Sequence, residues 1–590
     1  MNSRKLLFFT VLSGLFILLS FTYNRTIHTV GETSPLDNGQ RLSRQEIYKN
    51  RSIRLCSPDW SAINMDSLVA TIFILPGWGS YQWPIRSDSD SARLYFQQGI
   101  SMYYSFHIIE SMASFKKAAT FDDQNAMIYW AQGLANGPNI NDFETKILPE
   151  AITLSQKAMA LAGNCTPKEK ALIAAMATRY AADSSMKISV RNEQYTAAMK
   201  KAHEAFPKDG DVAALYADAM MLEHPWMYWK HDGEPYPWTN HLVDVLEGAL
   251  ERTPNHPGAN HYYIHCTEAS PNSMRALKSA DRLSELLPSV SHMVHMPSHI
   301  YIRNGFYAKG MKVNEMSISG YESYKKLFPA VEQNFPLYLV HNLHMQAACG
   351  MLGAGYQYSA SSALATRGSF DSSMMSIGMP FAGFIQYVYM TPVFNQVRYG
   401  KWDSVIANQV LSTDYKYASL LEHWAKGLAK ARLKQIKSAE KELKYVQENM
   451  VHPDLQIVLQ PFNAPVDGAR VAEKMLQGFI AEASGDFPAA IKAFKQAVVF
   501  EDAMIYNEPK DWILPVRPYL GAVLIKAGQF AAAEKIFRQD LKDNPNNHWA
   551  LKGLHTALQK QGKKQEAVTS KKALDKSLQL TGEKDFPIVY

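Results

Sequence analysis

The sequence lacks the marks of several common functional classes. Its four cysteines, Cys56, Cys165, Cys266 and Cys349, are spread over 590 residues, a distribution that does not form a disulfide framework. The net charge is +6 and no basic block is present that could track phosphates, so nucleic-acid binding is disfavoured. The chain has no glycine-rich phosphate loop, no G-x-S-x-G nucleophile elbow and no H-E-x-x-H motif. Ordinary zincin proteolysis is therefore not expected.

Alternating apolar and polar runs of the kind found in β-strands are scarce, whereas helix-forming residues dominate most of the chain. The hydrophobic content of 47% is ordinary for a globular protein. A length of 590 residues is more than one compact domain holds. These features predict an all-α protein built as a solenoid or as several domains.

The first residues of the chain predict a targeting segment. Arg4 and Lys5 precede the uncharged run Leu6–Thr22, which fits a signal peptide or a short membrane anchor. No A-x-A cleavage site follows this run, which favours an uncleaved anchor. The expected location of the remaining chain is the cell envelope, in the periplasm or outside the cell, with membrane contact only through this segment.

Two histidine pairs in the middle of the chain are related by one interval, which we call the repeat interval. His261 and His265 lie in NHYYIHCTEAS, and the same interval leads from them to His295 and His299 in HMVHMPSHIYIR. It matches the period of about 34 residues of the tetratricopeptide repeat, a helix–turn–helix unit. The two members of each pair are one helical turn apart, so stacked repeats would turn both pairs toward one groove. Four imidazoles in one groove predict a transition-metal site.

Histidines are concentrated in this region. Seven of the 18 histidines lie within residues 261–344, where an even spread would place roughly two or three. They are His261, His265, His292, His295, His299, His341 and His344. Their spacings of three and four residues place them on single faces of three successive first helices. The predicted metal ligands are the four histidines of the two pairs, supported or completed by His292 and His344. The full predicted set is His261, His265, His292, His295, His299 and His344.

Glu268 lies three residues after His265, on the same predicted helix face. Its carboxylate could act as a metal ligand, as the partner of an imidazole N–H, or as a general base. Glu268 is therefore the candidate catalytic residue. If the site is catalytic, an open coordination position would activate water or dioxygen.

Imidazole ligands suit copper, zinc and iron, so the histidines alone do not select the metal. In the third repeat, the positions aligned with the second histidine pair hold Met345 and Cys349. Their soft sulfur ligands favour copper, which is therefore preferred as the cofactor, with zinc and iron as alternatives. The spacing accommodates either one shared ion or two.

Other interpretations account for the same histidines. They could form a hydrogen-bonded network that fixes repeat packing, or line a concave groove for a peptide or protein ligand. Pro297 lies inside the second predicted helix. If that helix begins near Met296, His292 and His295 precede it and no longer share its face. The alternative function is a peptide- or protein-binding scaffold without metal or catalysis.

The C-terminal part of the chain has the clearest repeat pattern. Gly528 and Ala533 recur after the same repeat interval as Gly562 and Ala567. On this pattern the chain resembles the tetratricopeptide repeat superfamily over most of residues 90–575. The blocks HPGANHYYIH and HMPSHIYIR resemble those of a group of secreted or envelope bacterial repeat proteins. This resemblance implies a right-handed helical solenoid with irregular insertions and an extracytoplasmic compartment, and it implies no particular reaction.

The patterns divide the chain into segments. They are residues 1–22, a signal peptide or membrane anchor; 23–87, a linker and irregular N-terminal segment; 88–255, helical repeats with insertions; 256–367, histidine-rich repeats; 368–472, an irregular helical region; 473–578, C-terminal repeats; and 579–590, a tail.

Overall fold

Successive helices joined by short turns make up the part of the chain that the structure describes. The computed structural model describes residue 60 and residues 63–141, 149–182, 185–327, 337–370, 372–459, 463–579 and 586–589. The predicted targeting segment, residues 1–22, lies outside these residues. No helix in the described ranges is long and apolar enough to cross a membrane.

Within the described ranges, the helices follow one another without intervening strands. In the N-terminal half they are α1 Met65–Thr71, α2 Asp90–Tyr103, α3 Ile108–Ala119, α4 Ala126–Ala135, α5 Pro149–Leu161, α6 Pro167–Arg179, α7 Ile188–Ala205, α8 Gly210–Glu223, α9 Thr239–Arg252, α10 Pro257–Thr267, α11 Leu277–Leu286, α12 Ser291–His295 and α13 Pro297–Arg303. In the C-terminal half they are α14 Tyr307–Leu327, α15 Leu337–Leu352, α16 Tyr356–Gly368, α17 Phe381–Tyr389, α18 Thr391–Arg398, α19 Trp402–Ala407, α20 Lys416–Arg432, α21 Ile436–Asn449, α22 Pro465–Ala483, α23 Phe487–Asp502, α24 Arg517–Lys526, α25 Phe530–Asp543, α26 His548–Lys560 and α27 Lys564–Leu578. Among the described residues, the β pairing consists of a single bridge between Trp229 and Pro235.

Left-handed glycines form the turns of the C-terminal helix pairs. Gly485, Gly528 and Gly562 have φ angles of +81°, +73° and +74°, a region that residues with a Cβ rarely adopt. Each lies between the first and the second helix of a pair, and turns this short make the two helices antiparallel neighbours. The turn at Gly528 recurs at Gly562 after the repeat interval, and together with the run of helix pairs this confirms the predicted all-α fold of tetratricopeptide-type helical repeats.

A buried aromatic ring fixes the spacing between neighbouring pairs. Phe537 on α25 packs directly on the backbone of the flanking first helices. A Cβ at Gly521 would lie 2.3 Å from this ring, and one at Gly553 would lie 2.2 Å from it. The small residues of the repeat pattern are therefore positions of close helix approach, which a larger side chain would force apart.

The middle helix pairs are also related by a second interval, which is longer than the repeat interval. It leads from the end of α13 at Arg303 to the end of α15 at Leu352. The same interval leads from the beginning of α14 at Tyr307 to the beginning of α16 at Tyr356. We call it the long interval. It exceeds the repeat interval because the long helix α14 and the segment after it add residues before the third middle pair, α15 and α16.

The alignment behind the predicted sulfur ligands is one residue too long. The long interval aligns His299 with Ala348 and not with Cys349. It likewise aligns His295 with His344 and not with Met345. Cys349 packs against the second helix α14, where a Cβ at Gly310 would lie 2.6 Å from its sulfur. One residue turns a side chain by about 100° around a helix, so the sulfur atoms do not take the positions of the histidines.

Two long loops position residues over the histidine-bearing helices. The loop between α8 and α9 contains Trp226 and Trp229, and the indole N–H of Trp229 donates to the Cys266 carbonyl at 2.7 Å. The loop between α23 and α24 contains Tyr506 and Glu508. Both loops line the same cavity as the histidines.

Candidate metal centre

Six histidines converge in two groups of three. Trio A is His261, His265 and His292, and trio B is His295, His299 and His341. Within each trio, one ring nitrogen from each residue lies within 4.8 Å of the others. All six side chains are buried except that of His341, which is partly exposed. Three imidazole nitrogens at this separation match the protein ligand set of a three-histidine metal site.

The two trios are related by the repeat. Each trio combines two histidines one turn apart on one first helix with a histidine from the beginning of the next first helix. The first two members advance by the repeat interval, from His261 to His295 and from His265 to His299. The third member advances by the long interval, from His292 to His341, as the helix ends of its repeat do. Trio B is therefore trio A displaced by one repeat.

His344 lies outside both trios. The long interval aligns it with His295, so it would be the first member of a third trio. The position one turn later is Ala348, which offers no ligand. His344 lines the same cavity, and burial lowers its pKa to about 3.

The helix that contributes to both trios continues through Pro297. The first helix of this repeat consists of two segments, α12, which ends at His295, and α13, which begins at Pro297. Met296, between the segments, keeps helical backbone angles of φ −49° and ψ −36°. Proline is tolerated at the first position of a helix, where no intrahelical partner is needed for its nitrogen. His292, His295 and His299 therefore stay on a common face.

In trio A, the Nδ1 atoms of two rings donate hydrogen bonds to a backbone carbonyl and a carboxylate. The Nδ1–H of His261 donates to the Tyr104 carbonyl at 2.7 Å, and that of His265 donates to Glu268 Oε1 at 3.4 Å. The Nε2 atoms of His261 and His292 lie 3.1 Å apart, and Nε2 of His265 is buried without a hydrogen-bond partner. A proton held on Nδ1 leaves the lone pair on Nε2, which is the nitrogen available to a metal.

Trio B has the same arrangement with different partners. The Nδ1 of His295 lies 2.6 Å from Asn314 Oδ1, and the Asn314 amide nitrogen donates to the Gly310 carbonyl at 2.8 Å. The amide oxygen of Asn314 therefore faces the ring and accepts its proton. The Nε2 of His299 lies 2.9 Å from that of His295 and 3.3 Å from that of His341.

Two carboxylates face the opposite nitrogen of His299. Its Nδ1 lies 2.6 Å from Glu268 Oε2 and 3.1 Å from Glu508 Oε2. Burial alone would lower the pKa of His299, but these two carboxylates outweigh it and raise the pKa to about 10. Burial would likewise raise the pKa of Glu268, but His299 and His265 lower it to about 2. The Glu268 carboxylate thus joins the two trios, with one oxygen toward each.

Of the remaining trio histidines, only His265 contacts a described carboxylate, that of Glu268, at the longer distance of 3.4 Å. Burial, followed by the neighbouring imidazoles, lowers the pKa of His261, His292 and His295 well below its ordinary value. Burial also lowers the pKa of His265, although Glu268 opposes it. These rings are therefore neutral at pH 7, the protonation state in which imidazole binds a metal.

One side of the paired trios opens into a large cavity. Its volume is about 1070 Å³, and its wall includes His265, His292, His299 and His341 together with Glu268 and Glu508. Trp226 also lines it, edge-on to the His265 ring at 5.4 Å between centroids. The His265 and His299 rings lie 6.0 Å apart across the seam between the trios, so one bound molecule could reach both.

Sequence reasoning missed two residues of this site. His341 joins trio B, and its signal in the sequence was the long interval from His292, which becomes meaningful once the helix ends are known. Glu508 comes from a loop far along the chain, and its signal was the block EPKDWILP alone. Glu268 was predicted in three alternative roles, and its contacts to two imidazole Nδ1 atoms fit that of a partner behind the ligands.

Comparisons with known proteins give distant matches. No protein-family model and no curated protein matches the chain. Among solved structures, the human IFIT1 dimer with m7Gppp-AAAA matches 90% of this chain and 96% of its own, at 12% identity and a TM-score of 0.30. The APC/C hetero-tetramer Cut9–Hcn1 matches 84% and 88% of the two chains at 14% identity and a TM-score of 0.27. Yeast Tom70 matches 83% and 93% at 10% identity and a TM-score of 0.27.

Proposed function

We propose that this helical-repeat protein binds two transition-metal ions, one in each histidine trio, and acts as a metal-dependent enzyme on molecules that enter the cavity. The observation that carries the proposal is the recurrence of the same three-imidazole arrangement at equivalent positions of successive repeats. Packing alone does not require three ring nitrogens within 4.8 Å of one another in each of two repeats. A pair of metal sites does.

The surroundings of the trios support this proposal. Imidazole ligands of metals are ordinarily oriented by a carbonyl or carboxylate at the other ring nitrogen. The Tyr104 carbonyl, the Asn314 amide oxygen and the two carboxylates at His299 provide such contacts. The buried negative charge of Glu268 would also offset the charge of the ions, which an apolar interior would otherwise penalise.

Copper is the metal that we propose. The preference for copper rests on the order of stability of metal complexes at nitrogen sites, in which Cu²⁺ exceeds the other divalent first-row ions. Sulfur ligands do not contribute to it. An ion with three imidazole ligands and an open position activates bound water or dioxygen. Zinc and iron are the alternatives that elemental analysis would distinguish. The apolar run Leu6–Thr22 supports a location in the cell envelope.

Elemental analysis of protein purified without a histidine tag tests the proposal. We expect about two equivalents of metal per chain, about one in each of the variants His261→Ala and His299→Ala, and about two in the control His344→Ala. Correct folding is checked by circular dichroism and the melting temperature. Absence of metal from the folded native protein after incubation with copper, zinc and iron would contradict the proposal.

A metal-free scaffold that binds a peptide is the second candidate. The observation that favours it is the size of the cavity, about 1070 Å³, which exceeds what a small substrate needs. This alternative predicts that a ligand binds equally well to the native protein and to the variant that lacks His261 and His299. The metal proposal predicts that this variant has no metal-dependent enzyme activity.

A further inference from the structure

Arg303 lies next to trio B on the same helix face. It is the last residue of α13 and follows His299 by four residues, one helical turn. Side chains with this spacing are neighbours on a helix surface, with Cβ atoms roughly 5–6 Å apart. Arg303 also lines the cavity onto which His299 opens. A group bound to Arg303 would therefore lie beside the proposed metal site.

The guanidinium of Arg303 has no counter-ion in the part of the chain that the structure describes. No described carboxylate forms an ion pair with it, and its Nε is buried without a hydrogen-bond partner. The one hydrogen bond that it forms with a described residue is long, from Nη2 to the Ser270 carbonyl at 3.5 Å. The Tyr506 ring lies beneath it, with 5.3 Å from Cζ to the ring centroid. A buried donor without an acceptor costs free energy that a ligand could recover.

The other charged groups of the cavity wall near Arg303 already have partners. The Arg517 guanidinium contacts Asp502 and Asp543 at 2.7 and 3.3 Å. The Lys510 ammonium donates to Asn544 at 2.8 Å. Glu268 and Glu508, the acids closest to trio B, contact His299. Among the described residues of this wall, Arg303 is thus the one cationic side chain at least partly buried that is left for a ligand, whereas Lys230 and Lys542 are exposed to solvent.

We infer that Arg303 binds an oxyanion, a carboxylate or a phosphate, carried by the small-molecule ligand of this cavity. The edge of the guanidinium formed by Nε–H and the neighbouring Nη–H donates two parallel hydrogen bonds to such a group. That geometry would give the buried Nε its missing acceptor. The oxyanion would place the rest of the ligand along the wall of trio B. Its role as a substrate anchor rests on the proposed function, whereas the binding itself does not.

Isothermal titration of chelator-treated, metal-free protein tests this inference. The probes are benzoate, inorganic phosphate and the uncharged analogue benzamide. We expect one of the two anions to bind and benzamide not to bind. Arg303→Gln should weaken anion binding by about 10- to 100-fold, the range expected for charge-assisted hydrogen bonds. Arg303→Lys, which keeps the charge and loses the planar fork, should be intermediate.

Lys542→Gln is the matched control, because it removes one positive charge from an exposed residue of the same cavity wall. This variant should bind the anion as the native protein does. Preference for benzoate identifies a carboxylate ligand, and preference for phosphate identifies a phosphorylated one. The inference is overturned if neither anion binds the folded native protein, or if Arg303→Gln binds as tightly as the native chain. If an anion binds but the folded native protein takes up no copper, zinc or iron, the proposed function alone is contradicted.

Discussion

Trio A and trio B occupy equivalent repeat positions but differ in what lies behind their rings. Behind trio A are a backbone carbonyl, that of Tyr104, and one carboxylate oxygen at 3.4 Å. Behind trio B are a side-chain amide and two carboxylates, the nearer at 2.6 Å. The repeat therefore specifies the ligands, while nonrepeating parts of the chain specify the electrostatics around them.

This difference predicts unequal metal sites. Negative charge close to a ligand imidazole raises its basicity and stabilises the bound cation. Trio B has more negative charge near its ligand imidazoles, because Glu508 contacts only His299 and because Glu268 lies closer to His299 than to His265. We therefore expect trio B to bind its ion more tightly than trio A, with release of one proton from His299 when the ion binds at pH 7.

The largest expected effect is the loss of one class of site. In a competition titration with a chromogenic chelator, the native protein should fill trio B first and trio A second. His299→Ala should remove the tight phase and leave the weak one, because it deletes a ligand of trio B. His265→Ala should remove the weak phase and leave the tight one. Loss of the same phase in both variants would mean that the histidines form a single site.

The helices on the two sides of the site offer a second contrast, in buried charge. Trio B contacts the neutral amide of Asn314, whereas α8, which precedes trio A in the chain, contains the buried Asp218, whose carboxylate accepts a hydrogen bond from Tyr103 at 2.7 Å. Burial raises the pKa of Asp218 to about 6, although the Tyr103 hydrogen bond and the Arg179 charge oppose the shift. Because its folded-state pKa is raised, the stabilising contribution of Asp218 is complete below its unfolded pKa of about 3.9 and is lost as the pH rises through about 6.

Asp218→Asn should remove this pH dependence while leaving an acceptor for Tyr103. A shift of about two pKa units corresponds to about 3 kcal/mol between acid and neutral pH. The melting temperature of the metal-free variant, relative to that of the native protein, should therefore be higher at pH 8 than at pH 5. A difference that is the same at both pH values would show that Asp218 does not titrate in this range. Tyr103→Phe, which removes the donor, should move the native transition to higher pH.

The carboxylates behind the trios should have the smallest effects. Glu268→Gln should lower metal affinity by about 10- to 100-fold, the usual result of removing an outer partner of a ligand histidine. The loss should be larger at trio B than at trio A, because the Glu268 contact is shorter there. Glu508→Gln should weaken trio B by about 10-fold and leave trio A unchanged. Equal losses at both trios in Glu508→Gln would contradict the assignment of Glu508 to trio B.

The part of the site that follows from local helix geometry could be predicted from the sequence. The pairs His261–His265 and His295–His299 were visible because one helical turn and one repeat length fixed their relation. The turns at Gly528 and Gly562 revealed the fold for the same reason. The position of His341 was hidden by the extra residues that precede the third repeat, which replace the repeat interval with the long interval. Glu508 was hidden because its contact with His299 depends on the path of a distant loop.

The division into two trios could not be read from the sequence alone. A quartet of histidines related by the repeat interval fits one shared ion as well as two. The choice depends on His292 and His341, which lie three residues before the next histidine on their helices and so reach back to the preceding repeat. Pro297 made that relation uncertain, and the helical backbone of Met296 restores it.

Anomalous diffraction from crystals of the copper-loaded protein, measured on both sides of the metal absorption edge, tests the central claim most directly. The predicted result is two peaks per chain, one among His261, His265 and His292 and one among His295, His299 and His341. Each peak should lie about 2.0 Å from three imidazole nitrogens. A single peak shared by the two trios, or one bound between Glu268, His299 and Glu508, would contradict the repeat-related pair of metal sites.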